Sequence, residues 1–349
     1  MIIAGIAGAF PENLYSQEAI AAALKHHWGE RLARPEMLDR FHSRAGVRQR
    51  HLAFPMERYP EFKGWGETNK AWLEVAGQLG ERAIDSALDK AGLSRNDIDA
   101  LIAISVTGVA SPSLDARIIN RMGLRPDLKR TPIFGVGCVG GAVGLTRAAD
   151  YVRAYPKHRC ALLCVELCSL TIQKDDLSVP NLISTGLFAD GAAAVIVSGA
   201  ERDVKGPRIL ATRSNFYHDT EHIMGWDISE NGFNIVLSAA LPDLLRTRLG
   251  SEVDSFLASQ GVTRDQIKTW VIHPGGPKVI QAVEAALGLD QCALALSWES
   301  LAKYGNLSSA SVLLVLGDTM EKRSPAPGSL GLLVAVGPGF SSEMLLLQW

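Results

Sequence analysis

The sequence has little charge of either sign and few cysteines. Only 21% of its 349 residues are charged, and the net charge at pH 7 is −2. A balance so close to neutral offers no basic surface for nucleic acid and no polybasic anchor for an anionic membrane. Because 47% of the residues are hydrophobic, a disordered chain is excluded and a large core is expected.

Long apolar runs and disulfide-type cysteine spacing are also missing. No stretch approaches the length of a transmembrane helix, and the short apolar run at residues 2–6 lacks the basic start of a signal peptide. The five cysteines are odd in number and do not follow the spacing of a small disulfide-bonded domain. These features predict a cytoplasmic protein with reduced thiols and no membrane anchor.

Three of the cysteines, Cys160, Cys164 and Cys168, are four residues apart along the predicted strand 159–167 and just beyond it. At about 3.3 Å per residue, neighbours in this set would be roughly 13 Å apart. That is too far to share one ion, so we interpret them as buried structural residues and predict no metal site. Glu166 in the same run needs a hydrogen-bonding partner, since burying an unpaired carboxylate is costly.

The most informative stretch is the glycine-rich turn around Cys138. Residues 133–136 are predicted to form a buried strand, and apolar residues recur at helical spacing from Ala142 to Val152. Cys138 would then lie at a helix N-terminus, where unpaired N–H groups and the helix dipole favour a thiolate. The turn fits a nucleophilic cysteine in acyl transfer and, equally, a buried structural cysteine.

An internal repeat links this turn to the second half of the chain. Residues 92–104 resemble residues 261–273 in their glycine, arginine, isoleucine and hydrophobic positions. At nearly the same offset, Cys138 corresponds to Asn306, which also precedes an apolar helix. The repeat predicts a duplicated α/β fold, with one half at 1–205 and the other at 206–349.

Two further features remain open on the residues alone. His273 ends a predicted strand before the open loop 274–277, which makes it a functional candidate, although a single histidine is more often structural. Arg44, Arg48 and Arg50 could bind the phosphates of a nucleotide-bearing ligand, or they could simply form a solvated basic surface. Phe188 fits either the core or a cavity wall.

Four motifs together resemble the type III polyketide synthases, the chalcone and stilbene synthase family. They are Gly137-Cys138-Val139-Gly140-Gly141, Leu187-Phe188-Ala189-Asp190-Gly191, Ile272-His273-Pro274-Gly275-Gly276-Pro277 and Tyr304-Gly305-Asn306-Leu307-Ser308-Ser309-Ala310. The short N-terminus and residues 111–117 are more similar to the bacterial branch. The resemblance implies a homodimer with a duplicated thiolase-like fold, in which two similar βαβαβ halves are layered α-β-α-β-α.

The resemblance also implies a catalytic triad of Cys138, His273 and Asn306. His273 as an imidazolium would hold Cys138 as a thiolate, which takes the acyl group from an acyl-CoA starter. His273 and Asn306 would stabilise the enolate that forms when malonyl-CoA loses CO₂. The enolate would attack the Cys138 thioester in repeated Claisen condensations. CoA thioesters are then the substrates, and no cofactor, metal or acyl-carrier protein is implied.

By the same resemblance, several residues belong to the substrate cavity. Phe188 matches the family's gatekeeper, whereas Ile235 and Val336 stand where aromatic residues are found in plant members. These two replacements widen the cavity, so we predict an aliphatic acyl-CoA starter, with long chains among the candidates, and an alkylpyrone, a resorcinol or a related phenolic as the product. Thr107 and Ser308 are assigned to the same cavity.

The expected CoA-binding residues are Arg44, Arg48, Gly275 and Gly276, and Ser111 is a candidate for a contact across the dimer. Two alternatives remain. A ketoacyl synthase III of fatty-acid synthesis would share the fold and triad but perform one condensation. A non-catalytic thiolase-fold scaffold would have no reason to keep a complete nucleophile, base and oxyanion donor.

Overall fold

Two copies of one strand-and-helix pattern make up the chain in the computed structural model, which describes all of residues 1–349. The strands are β1 (Ile2–Ala9), β2 (Asn13–Ser16), β3 (Gln49–Leu52), β4 (Ala100–Ile104), β5 (Lys129–Ile133), β6 (Arg159–Leu167), β7 (Asp190–Ser198), β8 (Arg208–Phe216), β9 (Met224–Ser229), β10 (Gly232–Leu237), β11 (Ile267–Ile272), β12 (Leu330–Gly337) and β13 (Ser341–Gln348). The α-helices are α1 (Gln17–Trp28), α2 (Pro35–Arg44), α3 (Trp65–Ala91), α4 (Leu114–Met122), α5 (Gly140–Ala154), α6 (Val179–Leu187), α7 (Leu241–Ser259), α8 (Pro277–Leu287), α9 (Ala295–Tyr304) and α10 (Ser311–Asp318).

Nine strands form one mixed sheet in the order β11-β12-β13-β8-β1-β7-β6-β4-β5. In the first half, β4 is parallel to β6, and β7 is antiparallel to both β6 and β1. In the second half, β11 is parallel to β12, and β13 is antiparallel to both β12 and β8. The halves therefore have matching topology, and they meet where Ile2 pairs with Arg208.

The repeat extends to local hydrogen bonds. Ser94 and Thr263 each begin a short 3₁₀ turn with a capping box, which satisfies two backbone N–H groups. In the first half, Arg95 pairs with Asp85 and donates to the carbonyl that ends α4. Arg264 repeats this in the second half, with Asp254 and the last carbonyl of α8. The predicted duplication is confirmed down to single side chains.

Alternating side chains of each half-sheet pack against different helix layers. Leu162 of β6 and Leu333 of β12 lie in one central cluster with residues of α5 and α10. Their neighbours face outward, Leu163 toward α3 and α4, and Leu332 toward α7 and α8. Period-two alternation along strands that are buried on both faces produces this arrangement. The predicted α-β-α-β-α layering is therefore confirmed.

Several predicted elements differ from the structure. The strand expected at residues 133–136 lies earlier, at Lys129–Ile133, and its side chains are exposed rather than buried. It occupies the free edge of the sheet, where Pro132 is tolerated because no neighbour needs its missing N–H. The strands β8 and β13 and the separate β9–β10 hairpin were not predicted. No helix combines the length and apolar character needed to cross a membrane.

Candidate active site

Cys138 lies in a 3₁₀ turn that leads directly into α5, as the glycine pattern predicts. Its side chain is 5% exposed. Gly137 just before it has φ +54°, and a Cβ there would come within 2.6 Å of Pro338 Cδ. Glycine is required at this position both by its left-handed conformation and by the close approach of the loop after β12.

Asn306 occupies the equivalent turn before α10 and is 1% exposed. Its Oδ1 accepts a hydrogen bond from the Ser308 N–H at 2.8 Å, and its Nδ2 donates to the Gly275 carbonyl at 3.3 Å. The two turns press on each other, since a Cβ at Gly140 would lie 2.9 Å from Ser309 Cβ. The orientation of the Asn306 amide is thus set from both sides.

His273 follows β11 at the start of the Gly275–Gly276 loop and is 2% exposed. A Cβ on Gly275 would be 3.4 Å from His273 Nε2, so the loop backbone lies directly against the imidazole. Neither ring nitrogen has a hydrogen-bond partner. Through Gly275 and Asn306, the structure brings this free imidazole into the same buried site as Cys138, whose Sγ lies 3.5 Å from Ser308 Oγ.

Burial sets the protonation tendencies of the site. It raises the pKa of the Cys138 thiol to about 11, a shift opposed by hydrogen bonds with Ser308 and Asn306. It lowers the pKa of His273 to about 3. Burial therefore favours a neutral thiol and a neutral imidazole with two free nitrogens. The imidazolium–thiolate pair stays a prediction, because it requires each charge to stabilise the other.

Glu166 is fully buried beneath this site and links the Asn306 turn to the segment that follows β4. Its carboxylate accepts hydrogen bonds from Thr107 Oγ1 at 2.9 Å, from the Val106 N–H at 3.1 Å and from Ser309 Oγ. Burial raises its pKa to about 7 despite these bonds. The expected hydrogen-bonding partners are therefore present. Thr107 also accepts from the Leu167 N–H, so its hydroxyl is fully used.

Phe188 directly follows α6 and borders two cavities. The smaller one, with about 10 Å³ of free space, is lined by Cys168, Thr171, Ile172, Asn181, Ser184, Phe188, Trp226, Phe233 and Ile235. The larger one, with about 130 Å³ of free space, is mostly apolar and is lined from α1, β3 and the segments 56–62 and 169–174. Phe188 and Ile172 border both. Thr107 and Ser308, expected in the cavity wall, line neither.

Trp226 is a cavity residue that the sequence did not reveal. In the β9–β10 hairpin it pairs directly with Ile235, and both line the small cavity. Its indole therefore lies beside Ile235 in the cavity wall, and the widening expected at Ile235 stays a prediction. Only the pairing register of the hairpin places Trp226 opposite Ile235. The sequence patterns do not predict this hairpin, so they do not predict its register.

Val336 lines neither of these two cavities. It is 5% exposed and packs in the core between β12 and the outer helices. Gly337, the last residue of β12, packs on the nucleophile turn, since a Cβ there would lie 2.6 Å from the Val139 nitrogen. The role of Val336 in widening the substrate cavity stays a prediction.

The arginines of the basic segment divide into two groups. Arg44 and Arg48 are exposed. Gly46, which lies between them, packs on Pro277, since a Cβ at Gly46 would lie 3.1 Å from Pro277 Cγ. The segment thus lies beside the Gly275–Gly276 loop. Arg50 is buried and donates from Nη1 to the Phe188 carbonyl at 2.7 Å. Its burial fits neither of the two alternatives, a phosphate contact or a solvated basic surface.

Three of the remaining cysteines lie in the core, and Ser111 lies on the surface. Cys160, Cys164 and Cys168 are buried free thiols, and Cys168 faces the small cavity. Ser111 is exposed, in the loop between β4 and α4.

The chain is similar to several known proteins and to one family. The family models for chalcone and stilbene synthases match the chain with their N-terminal domain at residues 1–201 and their C-terminal domain at 208–349. A 1,3,6,8-tetrahydroxynaphthalene synthase of Streptomyces peucetius subsp. caesius is 49% identical, over 99% of this chain and 93% of its own. A phloroglucinol synthase of Pseudomonas fluorescens is 29% identical, over 97% of each. The crystal structure of 1,3,6,8-tetrahydroxynaphthalene synthase from Streptomyces coelicolor A3(2), a bacterial type III polyketide synthase, has a TM-score of 0.95 and 31% identity, covering 100% of this chain and 99% of that one.

Proposed function

Because the chain belongs to the chalcone and stilbene synthase family of type III polyketide synthases, we propose that it makes a small polyhydroxylated aromatic of the tetrahydroxynaphthalene type. Iterative condensation with malonyl-CoA, predicted from the motifs, is confirmed as the reaction class. Neither a single-condensation ketoacyl synthase III nor a non-catalytic scaffold is favoured. The product class is our inference, and it combines the small cavity with the names of the relatives.

In the proposed reaction Cys138 is the nucleophile and His273 its base. His273 takes the thiol proton as Sγ attacks the acyl-CoA carbonyl, and the expelled CoA thiolate recovers a proton. Malonyl-CoA then loses CO₂, and the electron pair left behind forms an enolate. The enolate carbon attacks the Cys138 thioester and displaces the thiolate, which leaves a longer chain on CoA that returns to Cys138 for the next cycle.

Asn306 is suited to stabilise the enolate oxygen. An amide nitrogen carries two hydrogens, and the contact with the Gly275 carbonyl occupies only one of them. The second is directed at the Cys138 thiol, so it can donate to an oxyanion that forms beside Sγ, together with His273, which has two unpaired nitrogens. Donors fixed in advance and shielded from water stabilise a developing charge strongly, since no reorganisation is needed during the reaction.

The lining of the small cavity supports the product proposal. The aromatic side chains of Trp226 and Phe233 share its wall with Phe188 and leave little room for a bulky starter. A chain built from malonyl units alone begins with a very small acyl group. The relatives at 49% and 34% identity are both named for tetrahydroxynaphthalene, which agrees with a starter of this kind.

Incubation with malonyl-CoA alone, followed by mass spectrometry, tests this proposal. We expect an aromatic polyketide without any added starter. A Trp226→Ala variant should then accept added acyl-CoA starters, whereas Ile228→Ala, on the exposed part of the same strand, should behave like the wild type. Products that form only when a starter is supplied to the wild type would overturn the proposal.

A second candidate is the long-chain acyl-CoA starter predicted from the sequence, and the large cavity favours it. Its apolar wall lies directly behind Phe188, so a movement of that ring would join the two cavities. A panel from acetyl- to palmitoyl-CoA distinguishes the candidates. Ala23→Phe fills the large cavity and should suppress long starters only, while Ala22→Phe, exposed on the same helix, should have no effect.

The proposal includes CoA binding at the basic segment and a homodimer in the cytoplasm, where CoA thioesters are available. Arg44 and Arg48 are exposed beside the Gly275–Gly276 loop, in reach of an entering CoA. The edge strand β5 and the 46% exposed Phe134 offer a surface for a second copy. The exposed Ser111 lies two residues before Ser113, whose hydroxyl accepts a hydrogen bond from Arg130 of β5 at 3.2 Å. Light scattering after size-exclusion chromatography tests the dimer, and a monomeric mass would contradict it.

A further inference from the structure

Arg50 is a buried cation that the proposed reaction does not use. It lies in β3 and is 2% exposed, and burial lowers its pKa to about 10. Only Nη1 has a hydrogen-bond partner, the Phe188 carbonyl at 2.7 Å, whereas Nε and Nη2 have none. Burying a charge is costly. The nearby Asp190 carboxylate offsets part of that cost, but no hydrogen bond joins the two side chains, and the only one that Arg50 makes is directed at Phe188.

The partner of Arg50 belongs to a short backbone connection between the gate and the oxyanion donor. The Ala189 N–H donates to the Asn306 carbonyl at 2.9 Å, and the Asn306 N–H donates to the Leu187 carbonyl at 2.9 Å. Phe188 and Asn306 thus form an isolated parallel bridge. Any shift of the Phe188 peptide is transmitted directly to Asn306.

Arg50 contacts this bridge on its Asn306 side as well. Gly305 has φ +75°, and a Cβ there would lie 3.1 Å from Arg50 Cγ and Cδ. The aliphatic stem of Arg50 therefore packs against the turn that presents Asn306, while its head holds the Phe188 carbonyl. Long side chains of this kind combine an apolar stem with a charged head, and both parts are used here.

We propose that Arg50 is a positioning residue that fixes the Phe188 gate and the Asn306 amide in one geometry. The inference rests on the proposed roles of Phe188 and Asn306. When the guanidinium is present, the gate and the donor keep a constant spacing through successive extensions. Without it, the bridge loosens, the enolate is held less well, and chains leave before the final extension.

Arg50→Met tests this, because it keeps the stem and removes the donor. We expect kcat with malonyl-CoA to fall about 10- to 100-fold, since a small misplacement near the reacting atoms has an effect of that size. KM should stay within about twofold, and products should shift toward shorter chains. Hydrogen exchange at residues 187–189 and 305–307 should become faster. Arg50→Lys, which restores a donor, should recover much of the wild-type product pattern.

Arg159→Met is the matched control. Arg159 is also largely buried, with Nη1 3.0 Å from Asp97, but it lies at the start of β6 and outside the site. It should lower stability without changing product length. If folded Arg50→Met gives wild-type kcat, product length and exchange, the inference is wrong. A wild-type enzyme that makes no product from malonyl-CoA would instead contradict the proposed function, and hydrogen exchange would still test Arg50.

Discussion

The two halves of the chain present the same turn and use it differently. Each turn follows a glycine with positive φ, at Gly137 and Gly305, and each enters a buried helix by way of a 3₁₀ segment. The first turn carries the nucleophile candidate Cys138, and the second carries the donor candidate Asn306. Duplication thus supplies two facing helix starts, and divergence at one side chain in each separates covalent attachment from oxyanion stabilisation.

Removing the Cys138 thiol should lower product formation more than any other substitution considered. Cys138→Ala should lower product formation by about 1,000-fold or more, because nothing else in the site can carry the acyl group. Mass spectrometry of the intact protein after incubation with malonyl-CoA should show an acyl adduct on the wild type and none on the variant. Cys292→Ala, which removes the exposed thiol, is the control. Product formation by Cys138→Ala near the wild-type rate would contradict the assignment.

The charge state of the first turn can be measured by alkylation. Since burial raises the Cys138 pKa to about 11 and lowers the His273 pKa to about 3, the thiol should be neutral near pH 7. The thiolate is the reactive form, so inactivation by iodoacetamide should rise about tenfold per pH unit between roughly pH 6 and 9. Measurements in a Cys292→Ala background remove the exposed thiol. A rate independent of pH would show the imidazolium–thiolate pair instead.

The second turn should matter for decarboxylation even when no acyl group is present on Cys138. Asn306→Ala should slow release of CO₂ from malonyl-CoA by about 100-fold, the usual cost of losing one oxyanion donor. Asn120→Ala, an exposed asparagine on α4, should have no effect. Decarboxylation unchanged in Asn306→Ala would place the donor elsewhere.

The contact between the two turns should show a smaller effect, mainly on stability. A Cβ at Gly141 would lie 2.3 Å from the Ser309 carbonyl oxygen, so Gly141→Ala must push the turns apart. We expect a loss of about 2 kcal/mol in the free energy of unfolding, as is typical of overpacking. Gly66→Ala, in α3 with open space around it, should be neutral or slightly stabilising. Equal stability of the two variants would show that the turns do not need close packing.

The sequence predicted those features of the fold that repeat along the chain or follow a local rule of secondary structure. Cys138 and Asn306 follow glycines at equivalent turns, which the internal repeat predicted, whereas their union with His273 in one triad was implied by the resemblance of the motifs to the family. Trp226 and Val336 could not be assigned in the same way. The cavity contact of Trp226 depends on the register of a hairpin, and the burial of Val336 depends on which face of β12 meets the outer helices. Both are set by long-range packing, which single-residue patterns do not encode.

The β9–β10 hairpin forms a sheet of its own and pairs with no strand of the nine-stranded sheet. Phe188, in contrast, is tied to Asn306 through the backbone. We therefore expect a substitution that moves Phe188 to disturb Asn306 directly, whereas substitutions at Trp226 and Ile235 reach the small cavity without passing through that backbone bridge. The hairpin is thus the part of the cavity wall whose side chains should be exchangeable with the least effect on the Asn306 turn.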